Sequence, residues 1–160
     1  MTQKHRKRLK NYYRIKPGKR TQIRWRYQNK IQMILEIGVD LVEVKRIKEI
    51  CLKWGDKFEK RVFTPREITY CNSKKSRHQS LASRFAAKEA VFKALGTGWS
   101  LGLHWQDVEV VNDSLGKPSI ILRGEAKERA ELMGAQKVLV SLSHTKQYAV
   151  AYVVLIGDLR

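Results

Sequence analysis

The stretch QSLASRFAAKEAVFKALGTG, residues 79–98, carries the strongest structural signal in this 160-residue chain. Alanine, leucine and charged residues, which favour helices, fill positions 79–95, and Gly96 stands where a helix-ending glycine is common. An apolar stripe at helical spacing consists of Leu81, Phe85, Phe92 and Leu95. The pattern predicts a helix over 79–95 that packs on this stripe.

A second row beside the stripe holds two small residues and then two charges: Ala82, Ala86, Glu89 and Lys93. The alanines leave room for a ligand or for a closely packed element. Taken alone, Glu89 and Lys93 are most simply an i,i+4 salt bridge, which contributes about 0.3–0.5 kcal/mol. Lys88 falls inside the apolar stripe, where its ammonium either reaches solvent or meets an anion.

Residues 33–44 read MILEIGVDLVEV and alternate as a β-strand does. One face is apolar and consists of Leu35, Ile37, Val39 and Leu41. Asp40 projects from the opposite face, where Gly38 leaves space. A carboxylate on a central strand is costly unless it is paired, so Asp40 either meets a cation or metal, or simply caps or ends the strand. Asp40 and Glu89 together would suit Mg²⁺, which binds one or two protein carboxylates, waters and substrate phosphates.

The remaining patterns predict an α+β fold, in which helices pack on a mostly antiparallel sheet. The sequence TPRE at 64–67 is a capping box with proline at the first helical position. Further helices are expected over 44–57, 64–73 and 125–133, and strands over 107–111, 119–123, 137–142 and 148–155.

The helix predicted over 44–57 has two distinct faces. Its apolar positions are Val44, Ile47, Cys51 and Trp54. Arg46, Lys53 and Lys57 fall on another face, within about 40° of each other. This basic face would suit an acidic protein or another anionic ligand.

The net charge of +18 is concentrated at the N-terminus. Residues 1–32 hold 12 of the 33 Lys/Arg and none of the 15 Asp/Glu, which leaves +6 for residues 33–160. The charge is therefore a weak indication of nucleic-acid binding by the folded part. We expect residues 1–32 to be a basic, disordered extension, because acid-free basic segments are usually disordered, and residues 33–160 to form the domain. Three interpretations of the extension stay open: a non-folding addition upstream of Met33, an organelle-targeting leader, or a working basic arm.

Several classes of site and location are not supported by the sequence. No apolar run approaches the roughly 20 residues that span a bilayer, and neither a Walker motif, a Rossmann glycine fingerprint nor a Cys/His zinc cluster occurs. The two cysteines, Cys51 and Cys71, are expected to be reduced, which fits a cytoplasmic location. His144 lies between two predicted strands, where a histidine is most simply structural, although flanking hydroxyls also fit a phosphate contact.

Four motifs together resemble the holo-[acyl-carrier-protein] synthases, the short bacterial branch of the 4′-phosphopantetheinyl transferase superfamily. They are IGVDLVE at 37–43, RFAAKEA followed by KALGTG at 84–98, GKP at 116–118 and SLSHT at 141–145. They occur in the family's order and spacing over about 33–156. Residues 1–32 have no counterpart in the short family.

The resemblance implies roles for individual residues. Asp40 and Glu89 match the Mg²⁺ ligands, and Glu89, Lys93 and His144 match catalytic positions. Contacts to coenzyme A would come from Arg84, Lys88, Gly96, Thr97, Gly98, Lys117 and Pro118. Arg46 and Lys53 match positions that bind the acidic helix of the acyl carrier protein.

The resemblance also implies a mechanism and an assembly. A serine of the carrier protein attacks the β-phosphoryl group of coenzyme A, Glu89 accepts its proton, and 3′,5′-ADP leaves, in support of fatty acid biosynthesis. The active sites lie between subunits of a homotrimer, so His144 would serve the neighbouring site. Two rivals remain, a nucleic-acid-binding protein that acts through its basic arm and a relative that binds coenzyme A without catalysis.

Overall fold

A computed structural model describes residues 31–98 and 102–159. Its helices are α1 (Val44–Trp54), α2 (Asp56–Val62), α3 (Pro65–Asn72), α4 (Arg77–Ala94) and α5 (Gly124–Leu132). Its strands are β1 (Gln32–Glu43), β2 (Val108–Asn112), β3 (Pro118–Leu122), β4 (Ala135–His144) and β5 (Tyr148–Asp158), and a 3₁₀ turn spans Trp105–Asp107. The predicted α+β class is confirmed. The predicted extension, apart from its last two residues, lies outside the described residues.

The strands form two antiparallel sheets, one with the order β1-β5-β4 and one with β2 beside β3. β5 is central in the larger sheet because its apolar run supplies one fully buried side, made of Ala149, Ala151, Val153 and Leu155. The long helix α4 packs on β1 and β5. Within the described ranges, no helix has the length and apolarity needed to cross a membrane.

Gly38 allows α4 to lie directly on β1. A Cβ atom at this position would stand 1.9 Å from the carbonyl oxygen of Ala90, which is far inside van der Waals contact. The lack of a side chain on β1 and the small Ala90 and Ala94 on α4 therefore permit a close approach of the two backbones. This approach places the polar end of α4 beside Asp40.

The apolar face of β1 is exposed. Ile37 and Val39 are each 53% exposed and Leu41 is 64% exposed, whereas Gly38 and Val42 on the opposite side are buried. Tyr152 of β5, which pairs with Val39, is 45% exposed. Alternation thus identified the apolar face correctly, but α4 covers the other one.

The predicted helix over 44–57 is wrong in its extent. It ends at Trp54, and Gly55, with φ of 49°, separates it from α2. As a consequence Lys57 lies on a different helix from Arg46 and Lys53. Trp54, which was expected in the apolar stripe, is 54% exposed. Elsewhere the predicted capping box is present, since the Thr64 hydroxyl accepts from the Glu67 backbone N–H at 3.3 Å.

Candidate active site

Asp40, Glu89 and Lys93 come together where β1 meets α4. The Lys93 Nζ donates to Asp40 Oδ1 at 2.8 Å and to the Val39 carbonyl at 3.1 Å. The ion pair of Lys93 is therefore made across to β1 rather than along the helix. Burial raises the pKa of Glu89, the charge of Asp40 raises it further, and the positive charges of Lys93 and Arg46 oppose this shift.

This pair of carboxylates fits a magnesium ion that is completed by other ligands. Within residues 31–98 and 102–159, no three His, Cys, Asp or Glu side chains are grouped so as to hold a metal by themselves. Mg²⁺ does not need such a cage, since it keeps several waters and binds through one or two carboxylates and substrate phosphates. Asp40 and Glu89, close enough to interact electrostatically, supply that number of carboxylates.

Lys88 is buried and meets an anion of the protein itself. Its side chain is completely inaccessible, and its Nζ lies 2.9 Å from Glu67 Oε2. It also donates to the carbonyls of Trp105 and Val108. Burial lowers the pKa of Lys88, and Glu67 opposes that shift. The predicted contact of Lys88 with coenzyme A is not supported by this geometry, because its three donors point into the interior.

Arg84 is 3% exposed and connects α4 to the turn between β2 and β3. Its Nη2 donates to Asn112 Oδ1 at 2.6 Å, and its guanidinium lies over the Tyr70 ring at 4.1 Å from the centroid. Asn112 in turn donates to the carbonyl of Gly116 at 2.9 Å. The buried Arg84 Nε has no hydrogen-bond partner among the described residues, so this guanidinium retains a donor.

Lys117 and Pro118 therefore lie next to Asn112, the residue that Arg84 binds. The Asp113 carboxylate shapes their turn by accepting from the backbone N–H groups of Leu115 and Lys117, each at 2.9 Å. Lys117 is exposed and Pro118 is partly buried. The structure thus brings the GKP motif at 116–118 close to Arg84, which begins the motif at 84–98.

The segment Gly96 to Gly98 ends α4. The Gly96 N–H donates to the Lys93 carbonyl at 3.0 Å, and both glycines have positive φ, 68° and 52°. Thr97 is buried and its hydroxyl donates to the Phe92 carbonyl at 3.3 Å. The helix-ending role is confirmed, and contact with a nucleotide stays a prediction.

His144 is not brought to the carboxylates within one chain. It is exposed at the end of β4 and pairs with Ala149 of β5, which pairs with Val42 of β1. Because β5 intervenes, β4 lies about 10 Å from the strand that carries Asp40.

The basic face contains an apolar groove that the sequence did not indicate. Arg46 and Lys53 are exposed on α1. Beside them, a groove of about 420 Å³ between α1 and α2 is lined by Ile50, Trp54, Lys57, Phe58 and Arg61. The charge of Arg46 acts on Glu89, so this face reaches the carboxylate site.

The family model described as the 4′-phosphopantetheinyl transferase superfamily matches residues 36–153, a range that includes Asp40, Glu89, Lys93 and His144. The chain belongs to this superfamily. The holo-[acyl-carrier-protein] synthase of Solibacter usitatus is 47% identical over 123 residues, which are 77% of this chain and 98% of that protein.

Solved transferases share the fold. The holo-[acyl-carrier-protein] synthase from Neisseria meningitidis has a TM-score of 0.69 and 36% identity, over 77% of this chain and 98% of that one. A synthase from Bacillus anthracis, in complex with coenzyme A (3′,5′-ADP), has a TM-score of 0.65 and 38% identity, over 79% of this chain and 99% of that one.

Two residues near this transferase site were missed in the sequence. Tyr70 supports the Arg84 guanidinium, and Asn112 binds it. Asn112 opens the predicted turn between two strands, a position at which asparagine is common, so only its partner could not be foreseen. Tyr70 gave no comparable signal, because an aromatic on a helix is usually a core residue.

Proposed function

We propose that this chain is a holo-[acyl-carrier-protein] synthase. It transfers the 4′-phosphopantetheine arm of coenzyme A to a serine of an apo acyl carrier protein, releases 3′,5′-ADP and so supports fatty acid biosynthesis. The observation that carries the proposal is the meeting of Asp40, Glu89 and Lys93 at the β1–α4 contact. The chain that holds this site is 47% identical to a synthase over 98% of that synthase's length. Chromatography tests it: release of 3′,5′-ADP should depend on the apo carrier protein.

Asp40 and Glu89 would hold Mg²⁺, and the ion would supply positive charge to neutralise the phosphates of coenzyme A. Lys93, whose side chain is half exposed to solvent, would bind a phosphate oxygen. Lys117, which is exposed, would bind the phosphates further along coenzyme A, and Arg84 would bind them beside it, at the turn that it contacts through Asn112. Gly96, Thr97, Gly98 and Pro118 would line the nucleotide cleft.

Glu89 is the group proposed to accept the proton of the carrier-protein serine. As the serine oxygen bonds to the β-phosphorus, the bond from that phosphorus to the 3′,5′-ADP oxygen breaks. The raised pKa makes Glu89 a stronger base than an ordinary glutamate, provided that the pH is high enough to ionise it.

We also propose a homotrimer: the number of subunits follows from the family resemblance, and the exposed face of β1 supplies a surface for the contact. Ile37, Val39 and Leu41 form with Tyr152 an apolar surface on one side of the sheet, and such surfaces commonly mark protein contacts. In a trimer His144 of one subunit would contribute to the site of the next, which accounts for its distance from Asp40 in one chain.

We expect the chain to sediment as a trimer and Val39→Lys to sediment as a single chain, because a lysine would be buried in the contact. Leu132→Lys is the matched control, since Leu132 is 83% exposed on α5, away from this face. A single-chain sedimentation coefficient for the unaltered protein, or no change in Val39→Lys, would contradict the trimer.

Arg46 and Lys53 are proposed to bind the acidic carrier protein. Arg46→Glu should raise KM for the carrier protein about tenfold or more while KM for coenzyme A changes little, because opposite charges would become like charges. Steady-state kinetics at pH 8 would measure both constants, since the change in charge also raises the pKa of Glu89. Lys45→Glu, at an exposed neighbouring position on α1, is the control. Equal effects on both KM values would count against this face.

A cytoplasmic location is part of the proposal. Cys51 and Cys71 are both free, and burial raises the pKa of each thiol to about 11, so both stay protonated and unreactive. We also propose that the basic extension stands outside the catalytic domain, because the superfamily match begins at residue 36. Its predicted boundary at residue 32 is one residue too late, since Gln32 already belongs to β1 and pairs with Asp158. The rival of a nucleic-acid-binding protein gains no support from the β1–α4 site, where the conspicuous groups are carboxylates.

A further inference from the structure

The ion pair between Lys93 and Asp40 is unequally exposed. The Asp40 side chain is 15% exposed, whereas the Lys93 side chain is 50% exposed. Asp40 is therefore held in place by its strand, while the ammonium lies at the end of a flexible four-carbon chain that borders solvent. Lys93 can change partner by rotating its side chain, without a movement of α4.

A divalent cation and the Lys93 ammonium compete for the same carboxylate. With Nζ at 2.8 Å from Asp40 Oδ1, a cation bound to that oxygen would stand within about 5 Å of the ammonium, where two positive groups repel strongly. The charge of Lys93 also offsets part of the combined negative charge of Asp40 and Glu89, which lowers the attraction of the site for any metal.

A phosphate would remove this competition. Phosphate oxygens accept charge-assisted hydrogen bonds from an ammonium. A phosphate can approach Lys93 from solvent, because its side chain is half exposed. Once Lys93 has turned towards a phosphate, both oxygens of Asp40 are available to a cation.

We propose that Lys93 is a displaceable counter-ion of Asp40, which weakens metal binding until a phosphate ligand draws the ammonium away. The inference rests on the proposed function, and assigns Lys93 a second role besides binding phosphate. It makes the binding of coenzyme A and of the divalent cation cooperative, and this coupling is reciprocal.

The test is Mn²⁺ binding to the full chain without coenzyme A, measured from the electron paramagnetic resonance signal of free Mn²⁺. Lys93→Met should bind Mn²⁺ at least about tenfold more tightly than the unaltered chain, an effect of about 1.4 kcal/mol. Lys93→Arg, which keeps the charge, should bind it as weakly as the unaltered chain. Adding Asp40→Asn to Lys93→Met should abolish the gain, which locates the cation at Asp40.

Lys60→Met is the matched control, because Lys60 forms an ion pair of the same length, 2.8 Å, with the exposed Asp56. It removes the same charge and should leave Mn²⁺ affinity unchanged. Equal affinity in Lys93→Met and the unaltered chain would overturn the proposal, as would an equal gain in Lys60→Met. If the unaltered chain transfers the phosphopantetheine arm but Lys93→Met gains no Mn²⁺ affinity, the counter-ion role alone is refuted. If the unaltered chain does not transfer the arm, the proposed function is refuted.

Discussion

Asp40→Asn and Glu89→Gln are each expected to lower the rate of phosphopantetheine transfer about a thousandfold, with the fold retained. Both changes keep the shape of the side chain and remove a negative charge. Asp40→Asn removes an anionic metal ligand, and the loss of such an electrostatic group typically costs two to three orders of magnitude. Glu89→Gln removes a proposed ligand and the proposed base together, and loss of a base alone costs about 10²–10⁴.

Transfer rates at saturating coenzyme A, with Mg²⁺ varied, would separate the two variants. Asp40→Asn should regain part of its rate at high Mg²⁺, whereas Glu89→Gln should not. Glu128→Gln on the exposed side of α5 is the matched control and should transfer normally. Normal turnover in Asp40→Asn or Glu89→Gln would contradict the assignment of the site.

Lys88→Met is expected to lower the free energy of unfolding by about 3–5 kcal/mol. Among the described residues, the N–H groups of Thr64 and Val110, at 2.9 Å and 3.0 Å, would be the donors left to balance the charge of the buried Glu67 carboxylate. The carbonyls of Trp105 and Val108 would each lose a donor. This buried pair ties α4 to α3 and to β2, and so supports the helix that carries Glu89.

Urea unfolding followed by circular dichroism would measure the loss. Lys127→Met is the control, because Lys127 makes an exposed i,i+4 pair with Glu131 at 3.7 Å, which contributes less than about 0.5 kcal/mol. The double variant Lys88→Met with Glu67→Gln should be less destabilised than the sum of the two single changes. A loss in Lys88→Met no larger than in Lys127→Met would show that the pair does not stabilise the fold.

The elements with a strong local pattern could be predicted from the sequence. The helix over 79–95 is observed as Arg77–Ala94, and the capping box at Thr64 is present, because both depend on neighbouring residues. Two possibilities were open for Asp40, a cationic or metal partner and a role in capping or ending the strand, and the structure shows a cationic partner, Lys93. The need for a partner could be predicted from Asp40 alone, because an unpaired carboxylate on a strand is costly, although the partner Lys93 is 53 residues away.

Features that depend on tertiary contacts could not be predicted. Alternation showed that β1 has an apolar face, but whether this chain covers it depends on where α4 packs, and Gly38 decides that. The partner of Lys88 is Glu67, on a separate helix, and nothing in the spacing of the apolar stripe indicates it. The sequence pattern predicted a single helix through Gly55, because one glycine inside a helix lowers its stability by only about 1 kcal/mol.

The central claim is tested most directly by the intact mass of an apo acyl carrier protein incubated with this chain, coenzyme A and Mg²⁺. The proposed function predicts that the carrier protein gains the mass of one phosphopantetheine arm, that the gain is lost when its acceptor serine is replaced by alanine, and that Asp40→Asn shows almost none in the same time. An unchanged carrier-protein mass with the unaltered enzyme, under conditions in which an authentic synthase modifies it, would contradict the claim.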